Sequence, residues 1–234
     1  MRDQHIMETN RIKKAVFDLG ADLCGIAPVE RFAGAPDGFH PQDIYKKVQS
    51  VLVFAKRLPT EVLYAENCVP YTRVNAVITQ EVDQLACALS LYLEDRGMAN
   101  VMIPSDDPFE SWDSERQHGQ AILSLRHAGY FAGLGQQLGK NNLLINKKFG
   151  NMIQIGALLL ADRLAPDPIA DYEACPMACS LCLQSCPVSA LDGTTVNQKK
   201  CRPLSNYLSE KGFILKKCRE CRKVCPHATG ISGK

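Results

Sequence analysis

The residues in this chain best suited to chemistry are its cysteines. Eight of the eleven fall between Cys175 and Cys225. The first run reads Cys175-x3-Cys179-x2-Cys182-x3-Cys186-Pro187, and the second reads Cys201-x16-Cys218-x2-Cys221-x3-Cys225-Pro226. Both keep the C-x2-C-x3-C-P core of bacterial two-cluster ferredoxins, with one extra residue before Cys179 and a long insertion after Cys201. A cubane needs three thiolates converging from one short loop and a fourth from elsewhere. The proline after the last cysteine turns the chain away from the cluster. These runs predict two [4Fe–4S] clusters. In such ferredoxins the fourth cysteine of each run serves the other cluster. One cluster therefore takes Cys175, Cys179, Cys182 and Cys225, and the other Cys186, Cys201, Cys218 and Cys221. Four-cysteine zinc sites also use C-x2-C pairs, but they rarely show paired x3-C-P endings. The remaining cysteines, Cys24, Cys68 and Cys87, read as ordinary residues: Cys24 in a buried strand, Cys87 on the apolar face of a helix.

Other candidates are weaker. Gly133-Leu-Gly135-Gln-Gln-Leu-Gly139-Lys140 is neither G-x-G-x-x-G nor a P-loop, and it follows a helix instead of a strand. It serves either a close backbone approach to a flat cofactor or a tight turn. The acidic stretch with Asp106, Asp107, Glu110, Asp113 and Glu115 reads as a solvated loop before it reads as a general acid. His5, His40, His118 and His127 show no ligand spacing. Trp112, the only tryptophan, lies in the acidic loop.

The elements that must hold these residues are α/β in pattern. Ile12, Val16 and Leu19 share a helix face. Leu23 to Val29 and Ser50 to Phe54 read as buried strands, and Val74 to Arg96 as a long helix stopped by Gly97. Asn100 to Ile103 reads as a strand, Gln117 to Ala128 as a helix, and Asn142 to Asn146 with Met152 to Ala161 as a strand pair around Gly150. The proline-punctuated LAPDPIA segment places a boundary near Pro168, separating an α/β (or α+β) domain over 1–168 from a cysteine-rich domain over 169–234.

With 46% hydrophobic and 22% charged residues and a net charge of +2, the chain has the composition of a folded soluble protein. Nothing in that charge asks for a nucleic-acid or membrane partner. The start carries no apolar signal core, so a cytoplasmic, oxygen-sensitive redox protein is expected. A dense cysteine cluster in a reducing compartment speaks for metal over disulfides.

Ala132 to Asn146 (AGLGQQLGKNNLLIN), the later GNMIQIGALLLADRLAPDPI, and the CPVSAL and KKC…CRECRKVCP segments resemble the epoxyqueuosine reductase family. More remotely, they resemble the corrinoid-binding reductive dehalogenases. The resemblance implies a nitroreductase-like domain holding cobalamin, followed by a ferredoxin-like two-cluster domain whose clusters pass electrons one at a time to the corrinoid. By that likeness the backbone around Gly133, Gly135, Gly139, Lys140, Asn141 and Asn142 approaches the corrin. Tyr71 and Arg73, in the PYTR segment, line the substrate side. The partners implied are a low-potential ferredoxin- or flavodoxin-type donor and either a small-molecule substrate or a corrinoid protein. Three departures stand out. Gly119 or Gln120 takes the place of the family's aspartate general acid. Val77 and Ile78 replace its histidine and tyrosine. The chain ends nine residues after Cys225, without a helical-repeat extension. A short, divergent cobalamin-dependent reductase with another substrate is therefore expected. The alternatives are an electron-transfer protein with no catalytic cofactor of its own, or an FMN-dependent reductase on the same fold.

Overall fold

The computed structural model describes residues 2–109, 111–115 and 118–231, with the side chains of 2–5, 118, 137 and 138 left aside. Its centre is a four-stranded antiparallel sheet in the order β1–β2–β8–β3: β1 (Leu23–Pro28), β2 (Ser50–Arg57), β8 (Ile153–Leu160) and β3 (Asn100–Ile103). The register pairs Val53 with both Gly25 and Ala157. The side-chain period of two then sorts the central strands onto opposite faces. Leu52, Phe54, Leu158 and Leu160 face one layer, in which Ile12 and Val16 of α1 (Arg2–Asp18) pack with Val82, Leu85, Leu89 and Leu93 of α3 (Cys68–Glu94). Val51, Val53, Ala55, Ala157 and Leu159 face the other, with Ala128 of α4 (Leu125–Phe131) and Phe32. Each of the larger side chains adds about 1.5–3 kcal/mol on burial. The expected mixed α/β architecture is borne out.

Helix α3 begins six residues before the expected Val74. The Asn67 side chain accepts a hydrogen bond from Val69 N (2.7 Å) and caps it, and Pro70 sits in the first turn, where a missing N–H costs nothing. The helix ends, as its sequence indicates, just before Gly97, whose φ of +76° reverses the chain. It crosses β8 closely because Gly156 offers no side chain: a Cβ there would lie 2.6 Å from the Phe54 ring and 2.7 Å from Val82.

Three expectations need correction. The strand after the glycine-rich segment, β7 (Leu144–Ile145), pairs with β6 (Gln136–Leu138) and not with β8. The helix expected from residue 117 starts at Leu125, and the chain before it forms a small hairpin of β4 (Trp112–Asp113) and β5 (His118–Gly119). Glu110 and Gln117 lie outside the described residues. Cys87 is exposed, one position off the buried stripe of α3, while Cys24 is half-buried and its thiol is pushed up to about 12 by burial. A short helix α2 (Pro41–Ile44) links β1 to β2.

The connector after β8 is pinned by Asp167. Its carboxylate accepts from Ile26 N (2.8 Å) and Lys13 Nζ (2.5 Å), and its carbonyl accepts from Arg31 Nη1 (2.8 Å). From Pro168 the chain enters the cysteine-rich segment. That segment holds three short helices, α5 (Leu181–Gln184), α6 (Gln198–Ser205) and α7 (Glu220–Lys223), and a hairpin of β9 (Tyr207–Leu208) and β10 (Ile214–Leu215). Among the described residues no helix is long and apolar enough to cross a membrane.

Candidate functional site

The two cysteine runs fold into near copies of one loop. Cys182 lies in α5 and Cys221 in α7, each helix four residues long. The residue before each helix has nearly the same backbone, φ −133° and ψ 12° at Ser180 against φ −141° and ψ 15° at Arg219. The residues closing them agree within a few degrees as well, at Ser185 and Val224. A shared C-x2-C-x3-C-P spacing thus produces a shared conformation, and the two helices pack on each other.

The electrostatic neighbours of the thiols sort them into two quartets. Burial pushes the Cys225 thiol up, and Cys175, Cys182 and Cys179 push it further. Cys182 is raised by burial and then by Cys175 and Cys179. Cys218 is raised by burial, with Cys201 and Cys186 adding to it. Burial lifts Cys221 to about 12, with Cys201 and Cys218 beside it and Cys182 further along. Each fourth cysteine therefore sits among the thiols of the other run. The last three neighbours of Cys221 also put the two quartets side by side. Cys186, Cys201, Cys218 and Cys221 border one cavity of about 230 Å³. Among the described residues no three His, Cys, Asp or Glu side chains converge on a point as a mononuclear site requires. These four thiols surround a space instead.

The glycine-rich segment clamps this region. Lys140 Nζ donates to the carbonyls of Met177 (2.5 Å) and Cys179 (2.7 Å), and Asn141 Nδ2 donates to the Cys221 carbonyl (3.0 Å). One turn between β6 and β7 thus holds both cysteine loops. Asn142 and Asn141 also border the 230 Å³ cavity. The glycines answer to the chain's own backbone: a Cβ at Gly133 (φ +75°) would meet the Pro168 carbonyl at 2.2 Å, and one at Gly135 the Ile145 carbonyl at 2.7 Å. At Gly139 it would meet the Asn141 side-chain oxygen at 2.9 Å. From the second run, Arg219 Nε donates to Leu63 O (3.0 Å) and its Nη2 to Ala65 O, while Lys216 N donates to Thr72 Oγ1 (2.9 Å). These bonds seat the cysteine-rich segment on the start of α3.

A second, larger cavity of about 460 Å³ opens next to the first, and Arg126, Leu143 and Arg222 border both. Ile153 and Ile155 of β8, Phe109 and Leu125 supply apolar wall, and Arg202 of α6 closes it from the cysteine-rich side. Burial holds the Arg126 guanidinium below its ordinary value, and Nη1 donates to Asn142 O (2.6 Å). Asp106, on the loop after β3, borders the same space. Burial raises its carboxyl, Lys216 and Arg202 partly offset this, and Asp107 adds to it. Asp106 is itself exposed, so solvent screens these influences. Asn151 is 1% exposed, and neither atom of its amide has a hydrogen-bond partner.

Tyr71 is buried, borders the 230 Å³ cavity and lies 5.7 Å beneath the Arg219 guanidinium. Arg73, expected beside it, is exposed and borders neither cavity, because successive helix positions point to different faces. Gly119 and Gln120 do border the larger cavity. A side chain at Gly119 is blocked by the Phe109 ring, 2.1 Å from where its Cβ would stand. Sequence reasoning missed Arg126, Arg202, Arg222 and Asn151. They come from separate segments with no shared spacing, and only the Gly150-Asn151 turn carries a local signal.

This arrangement of an antiparallel sheet between helices, followed by a pair of cysteine loops, matches solved structures. With epoxyqueuosine reductase from Streptococcus thermophilus the TM-score is 0.64 at 18% identity, over 96% of this chain and 67% of that one. With a catabolic reductive dehalogenase in complex with 3-bromo-4-hydroxybenzoic acid it is 0.68 at 18% identity, over 94% of this chain and 32% of the other. These likenesses show the fold. Among curated proteins the chain is 34% identical to the epoxyqueuosine reductase of Staphylococcus aureus over 124 residues, 47% of this chain and 31% of that protein. It is 25% identical to that of Cyclobacterium marinum, over 93% of this chain and 78% of that protein. The first of these matches thus spans about a third of the relative's length. No family model matches the chain. The resemblance to epoxyqueuosine reductases is borne out by both comparisons, and the likeness to reductive dehalogenases by the solved structures, as a likeness of fold.

Proposed function

We propose that this chain is an iron–sulfur reductase in which two [4Fe–4S] clusters feed electrons to a corrinoid held in the larger cavity. The observation that carries the proposal is the shared wall. Arg126, Leu143 and Arg222 separate the cavity of the Cys186, Cys201, Cys218 and Cys221 thiols from the 460 Å³ space. A donor set of four thiols per quartet fits a cubane. Cys175, Cys179, Cys182 and Cys225 would hold the cluster farther from that wall, and the other four the nearer one. Neutral thiols must lose their protons to ligate, and Lys140 and Asn141, by bonding the loop carbonyls, keep each loop shaped for that.

For the corrinoid, the fit rests on the apolar wall of β8, on position beside the thiols, and on the unpartnered Asn151 amide, which suits a ligand rich in amides. A volume of 460 Å³ encloses part of a corrinoid and leaves the rest at the open mouth. When bound, the corrinoid supplies a low-potential cobalt centre able to attack or reduce a substrate. A solved reductive dehalogenase whose structure suggests a mechanism for B12-dependent dehalogenation supports this assignment by likeness of fold. Ile153, Ile155 and Leu144 exclude water from the inner wall, and Asp106 stands at the mouth where it can hold a proton.

A second reading has its own observation. Phe109 fills the place at Gly119 where the resemblance sets a general acid, which favours an electron-transfer protein that reduces a partner's corrinoid. Titration of anaerobically reconstituted protein with cobalamin separates the two. The reductase reading expects about eight iron atoms per chain and a one-to-one change in the corrin absorption bands. Full iron with an unchanged corrin spectrum transfers the conclusion to the electron-transfer protein. Stoichiometric zinc in place of iron removes both.

A further inference from the structure

Among the described residues the larger cavity is lined by three arginines and one carboxylate, Asp106. Arg126 comes from α4, Arg202 from α6 and Arg222 from α7, so three separate elements bring cations to one space. Among the described residues no carboxylate stands within ion-pair distance of any of the three. Arg202 feels the Asp106 charge at longer range, but the hydrogen-bond and ring partners of all three are weak or neutral. Arg126 bonds a backbone carbonyl, Arg222 Nη1 reaches the Met152 sulfur at 3.5 Å, and Arg202 stacks 5.2 Å over the Trp112 ring. With the Asn206 amide turned to suit Ser205, Arg202 Nη1 gains one neutral acceptor at 3.2 Å. Among the described residues the buried Arg202 Nε has no acceptor. Beside them the Asn151 amide, almost fully buried, leaves its N–H donors unused.

Unsatisfied buried donors and desolvated cations are costly, and a native fold keeps them where a ligand completes them. Planar guanidinium forks match the geometry of carboxylate and phosphate oxygens. We propose that Arg126, Arg202, Arg222 and Asn151 form an oxyanion subsite that receives a carboxylate or phosphate group of the cavity's ligand. Asp106 opposes that charge at the mouth, so it limits affinity and favours release. The proposal deepens the reductase reading by giving its ligand a charge, but its test does not depend on turnover.

Cluster-replete protein without cobalamin is titrated by calorimetry with inorganic phosphate, benzoate and benzamide, the last being neutral and of benzoate's shape. The anions bind and benzamide does not. Arg202→Gln weakens benzoate by about tenfold or more, the scale of one charge-assisted hydrogen bond. Arg96→Gln, at the exposed end of α3, leaves it unchanged, and Asp106→Asn tightens it. Equal binding of benzoate and benzamide, no binding of either anion, or an equal loss from Arg96→Gln overturns the subsite. If Arg202→Gln fails to fold, Asp106→Asn decides: tighter anion binding upholds the proposal and unchanged binding overturns it. Cobalamin and cobinamide, which lacks the phosphodiester, then identify the source. Loss of cobalamin but not cobinamide affinity in Arg202→Gln assigns the oxyanion to the corrinoid. Unchanged affinity for both, with benzoate lost, assigns it to the substrate. If neither corrinoid binds, the reductase reading falls, while the subsite stands on its own calorimetry.

Discussion

Replacing Cys225 tests how the chain partitions its thiols. Cys225 belongs by position to the second run, but its electrostatic neighbours are Cys175, Cys182 and Cys179 of the first. Cys182 reports two of the same neighbours, Cys175 and Cys179. Cys225→Ala should therefore lose the same cluster as Cys182→Ala, taking iron from about eight to about four atoms per chain. The double variant Cys182→Ala/Cys225→Ala should still hold about four, because both changes strike one quartet. Pairing Cys225→Ala with Cys221→Ala should empty both, since Cys221 stands with Cys201 and Cys218. Iron and acid-labile sulfide are counted on anaerobically reconstituted protein, with far-ultraviolet circular dichroism confirming that each variant keeps the parent's secondary structure. Refutation is direct. If Cys182→Ala/Cys225→Ala loses nearly all iron while Cys221→Ala/Cys225→Ala keeps half, each run serves its own cluster and the crossed assignment is wrong.

Three further outcomes are expected. Lys140→Met removes the one ammonium that donates to both the Met177 and Cys179 carbonyls, a loss of about 1–2 kcal/mol after allowance for solvent. Iron should leave the variant faster than the parent under a chelator, and equal rates would remove Lys140 from the clamp. Gly156→Ala drives a methyl into the Phe54 ring and Val82, so urea unfolding should show about 1–3 kcal/mol of destabilisation, and an unchanged midpoint would mean that α3 yields freely. Asp106 has a carboxyl raised by burial, so the stability it allows is fullest below the unfolded value of about 3.9 and is lost as pH rises through the folded one. Asp106→Asn should melt above the parent at pH 8 with the gap narrowing as pH falls toward about 4, and a gap that widens on acidification would contradict the assignment.

The boundary between what was readable and what was not runs between local and distant relations. Strands at Leu23 and Ser50, the long helix with its stop at Gly97, and the strand at Asn100 follow from period and punctuation within a few residues, and the structure has them. The partner of β7 was misread because strand pairing is a relation between segments. Leu144 and Ile145 are apolar whether they meet β6 or β8. Cys87 was misplaced by one helix position, enough to turn a buried residue outward at 100° per residue.

The spacing of the cysteines by itself determined that two similar loops form and which thiols they offer. Three ligands within eight residues leave the backbone few ways to present them. The tertiary structure alone decided what surrounds them. It made Lys140 and Asn141 a clamp on both loops, and it set Phe109 against Gly119, one of the two positions that stand where the resemblance sets an acid. It also drew Arg126, Arg202 and Arg222 from three helices to one cavity. No local period encodes such convergence, because it arises only when the sheet, its covering helices and the cysteine-rich segment pack together and exclude the alternatives.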